Sequence, residues 1–180
     1  MPLCLPCWRP AKAEGLTLDQ LMARMAAVPE RHDSFKEERR FAALDAPLLS
    51  AGALSYAKGR LEKLTTWPQQ ERLEIDGDRI VLTQANDAPR VIELGRAPEL
   101  RVLIDALRGP LAGDAPALQR AFTVTVAGSL SAWTLDLVPR DPAAARLLRS
   151  VRLRGRDDRI DEIATTQANG DTQVMAITPR

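Results

Sequence analysis

Beyond Pro29 the hydrophobic period of this chain changes from helical to two, and with few interruptions it keeps that period to the C-terminus. A period of two puts alternate side chains on opposite faces of a strand. Phe35, Glu37, Arg39 and Phe41 share one parity over about 33–43, and Leu54 and Tyr56 share a face over Gly52–Tyr56. Short segments follow at 61–66, 71–75, 79–84 and 90–95. Asp76-Gly77-Asp78 is a turn between two of them, because Gly accepts a positive φ. The alternation resumes with Phe122, Val124 and Val126, then Trp133, Leu135 and Leu137, and ends with 151–154, 160–166 and 173–178. Asn169-Gly170-Asp171 is a type I′ hairpin signal between the last two. About nine or ten short strands joined by tight turns predict one antiparallel sheet, and a sheet of that size curls.

Two segments break the strand pattern. Over 17–28, Leu18, Leu21, Met22 and Met25 recur at helical spacing, with Thr17 as N-cap, Gln20 three residues on and Pro29 as the stop. Over 98–108, Leu100, Leu103, Ile104 and Leu107 share a face, and Gly109-Pro110 is expected to end the helix. Residues 115–121 add a turn or two, and Asp141–Leu148 reads as a short helix. Helices 17–28 and 98–108 are expected on the concave face of the curled sheet, giving an α+β fold. No repeat or low-complexity linker divides the chain.

The chemistry-bearing residues are sparse. The one histidine, His32, stands among charged and polar neighbours, and no Cys/His group has metal-ligand spacing. There is no G-x-S-x-G or S-x-x-K nucleophile motif and no glycine-rich phosphate loop. Glu37 and Glu38 fall on opposite faces of one strand, while Asp76, Asp78, Asp157 and Asp158 belong to turns. The chain therefore reads as no enzyme, with no cofactor and no metal. With 4% aromatic residues, the interior must be filled by Leu, Ile, Val and Ala. A net charge of +1 and no aromatics among the basic residues argue against nucleic acid.

The densest charge feature holds Arg146, Arg149, Arg152, Arg154, Arg156 and Arg159. Arg152 and Arg154 share one strand face and Val151 and Leu153 the other. The first reading is a solvated outer face near a sheet edge, and the second is an anionic docking patch. Residues 1–13 contain both cysteines, Cys4 and Cys7, among prolines with no strand before them, which does not suit a redox pair. Ala11-Lys12-Ala13 reads as a small-residue cleavage site, so 1–13 is expected to be the remnant of a signal peptide and 14–180 a single domain. No stretch reaches the 18 apolar residues of a membrane span.

Four strings, FKEERRFAALDAPLLSAGALSYAKGRLEK, WPQQERLEIDGDRIVL, WTLDLVPRD and GRDDRIDEIATTQANGDTQVMAI, together resemble the LolA-like outer-membrane lipoprotein carrier family, in its divergent branch. The resemblance covers about 17–178. It implies an open, strongly curved antiparallel sheet (a half-barrel) with helices covering its concave face. It also implies a monomeric periplasmic carrier that shelters the acyl chains of a lipidated protein or other lipid and delivers them toward the outer membrane. Its partners would be an inner-membrane donor and an outer-membrane acceptor protein, with peripheral membrane contact only. The better-known carriers have a basic residue followed by proline where this chain has Tyr56-Ala57-Lys58-Gly59-Arg60-Leu61, without the proline. A carrier or accessory protein for another acyl or polyene lipid, or a non-carrier β-sheet assembly factor, therefore stays open. On the carrier reading, the candidate cavity and lid residues are Phe35, Leu54, Tyr56, Leu61, Leu100, Leu103, Ile104, Leu107, Trp133 and Leu135. Lys58, Arg60, Arg152 and Arg154 are the candidate basic residues at the cavity mouth or on a docking face.

Overall fold

The computed structural model describes residues 15–85 and 87–180. The signal-peptide expectation for 1–13, with Cys4 and Cys7, lies outside them. The chain runs α1 (Leu18–Ala26), β1 (Glu30–Arg40), β2 (Leu48–Ala57), β3 (Arg60–Trp67), β4 (Glu71–Asp76), β5 (Arg79–Gln84) and β6 (Arg90–Glu93). A 3₁₀ turn at Leu94–Arg96 leads into α2 (Pro98–Ala112) and α3 (Ala115–Ala121). Then come β7 (Phe122–Ser129), β8 (Ala132–Pro139), α4 (Pro142–Ala145), β9 (Leu148–Arg156), β10 (Arg159–Gln167) and β11 (Thr172–Pro179). The strands form one open antiparallel sheet of eleven, in the order β6-β5-β4-β3-β2-β1-β11-β10-β9-β8-β7.

That order explains the placement of the helices. The first and last strands pair at the centre, and the two edges, β6 and β7, are consecutive in the chain apart from the 3₁₀ turn, α2 and α3. A connection from one edge to the other must cross a face of the sheet, and it crosses the face that carries the apolar side chains. There α2 meets both halves. Val102 and Ala106 pack with Phe122, Leu135, Leu137 and Leu153 of β7–β9. Ile104 packs with Tyr56, Leu61, Ile75 and Ile80 of β2–β5. Two ends of a sheet can share one helix only if the sheet wraps around it. α1 adds Leu21, Met22 and Met25 to the β7–β10 side, and its capping box is formed as expected, Gln20 N donating to Thr17 Oγ1 at 3.2 Å and Thr17 N to Gln20 Oε1 at 3.0 Å.

The local signals hold with four corrections. Among the described residues there are eleven strands, not nine or ten. α2 runs past Gly109-Pro110 to Gly113, whose φ of +66° ends it. Proline in the last turn forfeits one helical hydrogen bond, while Gly109 gives room to Leu118 of α3, whose Cδ2 lies 2.6 Å from where a Cβ would stand. The helix expected over 141–148 shrinks to Pro142–Ala145, because Leu148 already belongs to β9. At 168–170 only Gly170 has a positive φ, and Gly170 N donates to Gln167 O. This is a three-residue loop with a glycine bulge, not a type I′ turn, which needs two positive φ values. Asn169 instead holds Asp171, accepting from its N–H at 3.0 Å. Among the described residues no helix is long and apolar enough to cross a membrane.

Candidate functional site

Register fixes which side chains share the concave face. Phe35 of β1 stands opposite Gly52 of β2 and Ile177 of β11, and Glu37 stands opposite Ser50 and Met175. Leu54 stands opposite Lys63 of β3, which is opposite Leu73 of β4. On the other side Met175 faces Ile163 of β10, which faces Leu153 of β9. At the middle of the sheet these residues do not meet the helices in full contact. A cavity of about 270 Å³ remains beneath Leu103, Leu107 and Leu111, one i, i+4, i+8 stripe of α2. Its floor is Leu54, Tyr56, Leu61, Leu73 and Ile75 on one side and Val151, Ile160, Ile163, Met175 and Ile177 on the other.

Polar groups stand at its two ends. At one, Arg31 reaches Asp158 at 3.3 Å and donates to the Met25 carbonyl at 3.1 Å, tying α1 to the β9–β10 turn. Asp33 and Arg159 line the same end, and burial raises the Asp33 carboxyl above its ordinary range. At the other end, Glu37 is 3% exposed. Burial opposes its ionisation, but Lys63 Nζ at 2.7 Å, Arg39 at 3.1 Å and the Ser50 hydroxyl at 2.9 Å together hold its carboxyl below the usual range. Gln173 donates to it as well, and Lys63 lies 4.8 Å from the Phe35 ring centroid. Arg39 also borders a second, wider cleft of about 870 Å³, lined by Leu48, Leu49, Trp67 and Glu71.

Of the residues singled out in the sequence, Leu54, Tyr56, Leu61, Leu103 and Leu107 line the central cavity. Phe35 is buried beside it, under Lys63, without lining it. Leu100 and Ile104 pack toward β2–β5, and Trp133 and Leu135 are core beneath α1 and α2. The expected basic residues do not line the cavity. Lys58 (φ +51°) and Gly59 (φ +82°) are the two central residues of the β2–β3 turn, and Lys58 is exposed. Arg60 is paired with Glu74. Arg152 pairs with Asp136 at 2.6 Å, Arg154 with Glu162 at 3.1 Å and Arg156 with Asp161 at 3.0 Å, all on the outer face. Cross-strand acids thus offset Arg152, Arg154 and Arg156 on the outer face, while Arg159 of the same run turns to the cavity. Missing from the sequence reading were the charged inward residues Arg31, Arg39 and Lys63 and the β10–β11 floor. Parity already put Glu37 and Arg39 with Phe35, so that signal was available.

A family model for the LolA-like outer membrane lipoprotein carrier proteins matches residues 10–178. The chain belongs to this family. None of the curated proteins compared matches this member in sequence. Among solved structures it is similar to a LolA superfamily protein, NE2245, from Nitrosomonas europaea, at 10% identity, TM-score 0.48, over 92% of this chain and 94% of that one. It is also similar to a DUF1329 family protein from Desulfovibrio piger, at 9% identity, TM-score 0.38, over 89% and 90%.

Proposed function

We propose that this LolA-like chain is a periplasmic carrier that takes an acyl chain of a lipoprotein or other lipid into the central cavity and delivers it toward the outer membrane. The observation that carries this reading is an aliphatic cavity left open between the sheet and α2, the helix that crosses from one half of it to the other. Closed packing is the rule for protein interiors, so an apolar space of this size has a use. Each acyl CH₂ kept from water is worth about 0.8 kcal/mol, and a carrier must also release its load. The stripe Leu103, Leu107 and Leu111 supplies the apolar roof over such a chain. No covalent step is required, in line with a non-enzymatic role. In this reading the carrier works as a monomer, and the donor and acceptor are membrane-bound proteins at the inner and outer membranes.

Gly59 follows Lys58 where the better-known carriers have a proline after the basic residue, which favours an acylated cargo other than theirs as a second reading. The test is extraction. The protein is incubated with vesicles carrying a diacylated lipopeptide, and the vesicles are then sedimented. A carrier leaves lipopeptide with the protein in the supernatant. Lipopeptide that stays wholly with the vesicles, at any protein concentration, contradicts the reading. Fractionation of the native host should place the protein in the periplasm with its N-terminus near Glu14; cytosolic protein would contradict that part.

A further inference from the structure

We infer that the Arg39–Lys63–Gln173 end of the cavity seats the anionic head group of a single-chain amphiphile, whose tail fills the aliphatic space beneath α2. The inference rests on the carrier reading and adds to it an orientation and a head-group chemistry.

Three arginines line the cavity, Arg31, Arg39 and Arg159, and the first two each have a buried Nε without a hydrogen-bond partner among the described residues. Buried donors in native proteins nearly always have acceptors, so these two N–H groups are the places to look for ligand oxygen. Their surroundings differ. Arg31 already uses both its terminal nitrogens, on Asp158 and on the Met25 carbonyl, and Asp33 beside it offsets the charge of Arg159. That end is balanced and tied to the helix. At the other end Arg39 and Lys63 share one carboxylate, Glu37, which also accepts from Ser50 and Gln173. Glu71, on the side of the wider cleft, also attracts Lys63 and accepts from Gln84 at 2.9 Å. Arg39, Lys63 and Gln173 all line the cavity, so a guanidinium, an ammonium group and an amide stand at one end of its aliphatic walls.

Arg39 lines both the cavity and the wider cleft, so it stands at their junction. Its side chain is 43% exposed while that of Lys63 is 13% exposed. A head group seated there has its tail in the dry compartment and an open route outward past Leu48, Leu49 and Trp67. Carboxylate and phosphate oxygens both fit a fork of N–H donors, and hydrogen bonds to charged groups are stronger than neutral ones.

The test is displacement of an apolar fluorophore from the full chain by matched ligands: dodecanoate, dodecyl phosphate, 1-dodecanol, acetate and inorganic phosphate. The parent should give up the fluorophore to both anionic amphiphiles at about tenfold lower concentration than to the alcohol, the size expected for one charge-assisted contact. Acetate and phosphate alone should displace nothing at those concentrations. Arg39→Gln, checked for an unchanged fold by circular dichroism, should bring acid and alcohol within about twofold of each other. Equal displacement by acid and alcohol in the parent overturns the head-group seat and leaves the carrier reading intact, with no variant needed. A tenfold gap that persists in Arg39→Gln overturns the role of Arg39. Displacement by acetate or phosphate alone would make the site an ion site and overturn the amphiphile. Failure of every dodecyl ligand to displace, and of the fluorophore to bind, is the separate signature of a failed carrier reading.

Discussion

Glu37 is a carboxylate placed on the apolar side of a strand, and its position is tenable only because four donors meet it there. Replacing one partner of such a cluster strands the others, which typically costs about 3–5 kcal/mol. Glu37→Gln should therefore lower stability markedly at pH 7. The pH dependence has a definite sign. A carboxyl held below its ordinary value of 4.5 contributes stability that is complete above that value and is lost as pH falls through the lower folded-state value. Denaturant titrations of parent and Glu37→Gln should converge as pH falls below about 4.5; a gap that stays constant from pH 6 to pH 3 contradicts the account. Gly155 makes a steric prediction. A Cβ there would overlap the Arg159 carbonyl oxygen and the Trp133 ring, whose Nε1 donates to the Asp157 carbonyl at 3.1 Å. Gly155→Ala should cost several kcal/mol, since overpacking beside fixed backbone has no cheap relaxation. A melting temperature within about 2 °C of the parent would show that the β9–β10 bulge yields more easily than this.

α2 has two kinds of apolar residue, and helical periodicity in the sequence does not separate them. Leu100, Leu103, Ile104 and Leu107 are one stripe by spacing, yet Ile104 is packed against β2–β5 while Leu103 and Leu107 line the cavity. Ile104→Glu and Leu135→Glu should both unfold the protein or nearly so, because each buries an unpaired charge in closed packing. Leu107→Gln should lower the melting temperature only modestly and change apolar-probe binding several-fold. Equal destabilisation by Ile104→Glu and Leu107→Gln, with no change in probe binding, would make the whole helix ordinary core. On the outer face, Arg152→Gln with Arg154→Gln should leave thermal stability nearly unchanged, because exposed pairs such as Arg152–Asp136 and Arg154–Glu162 contribute little. A large loss would show that the ladder matters to the sheet. Strand segments and the capping box of α1 were legible because parity and capping are local. The end of α2 was not, because the room that Gly109 gives to Leu118 decides it from outside the segment.

Across the whole molecule, the decisive feature is the pairing of β1 with β11, which puts the chain's outer strands at the sheet centre and leaves the connected pair β6 and β7 at the edges. Alternation could show that strands exist and that their sheet curls. It could not give their order, which long-range pairs such as Phe35 with Ile177 establish. Half of the cavity lining stayed illegible for the same reason. Ile163, Met175 and Ile177 enter the site only once β10 and β11 are set beside β1, and Lys63 joins Glu37 and Arg39 only once β3 and β2 are set beside β1. The central claim is that the space beneath α2 is kept for an acyl chain. Native mass spectrometry of the protein purified from its native host tests it most directly. The account predicts a population heavier than the bare chain by the mass of an acylated molecule, reduced in Leu107→Gln. Only bare mass from every preparation of the parent, together with no lipid in its organic extract, would contradict it.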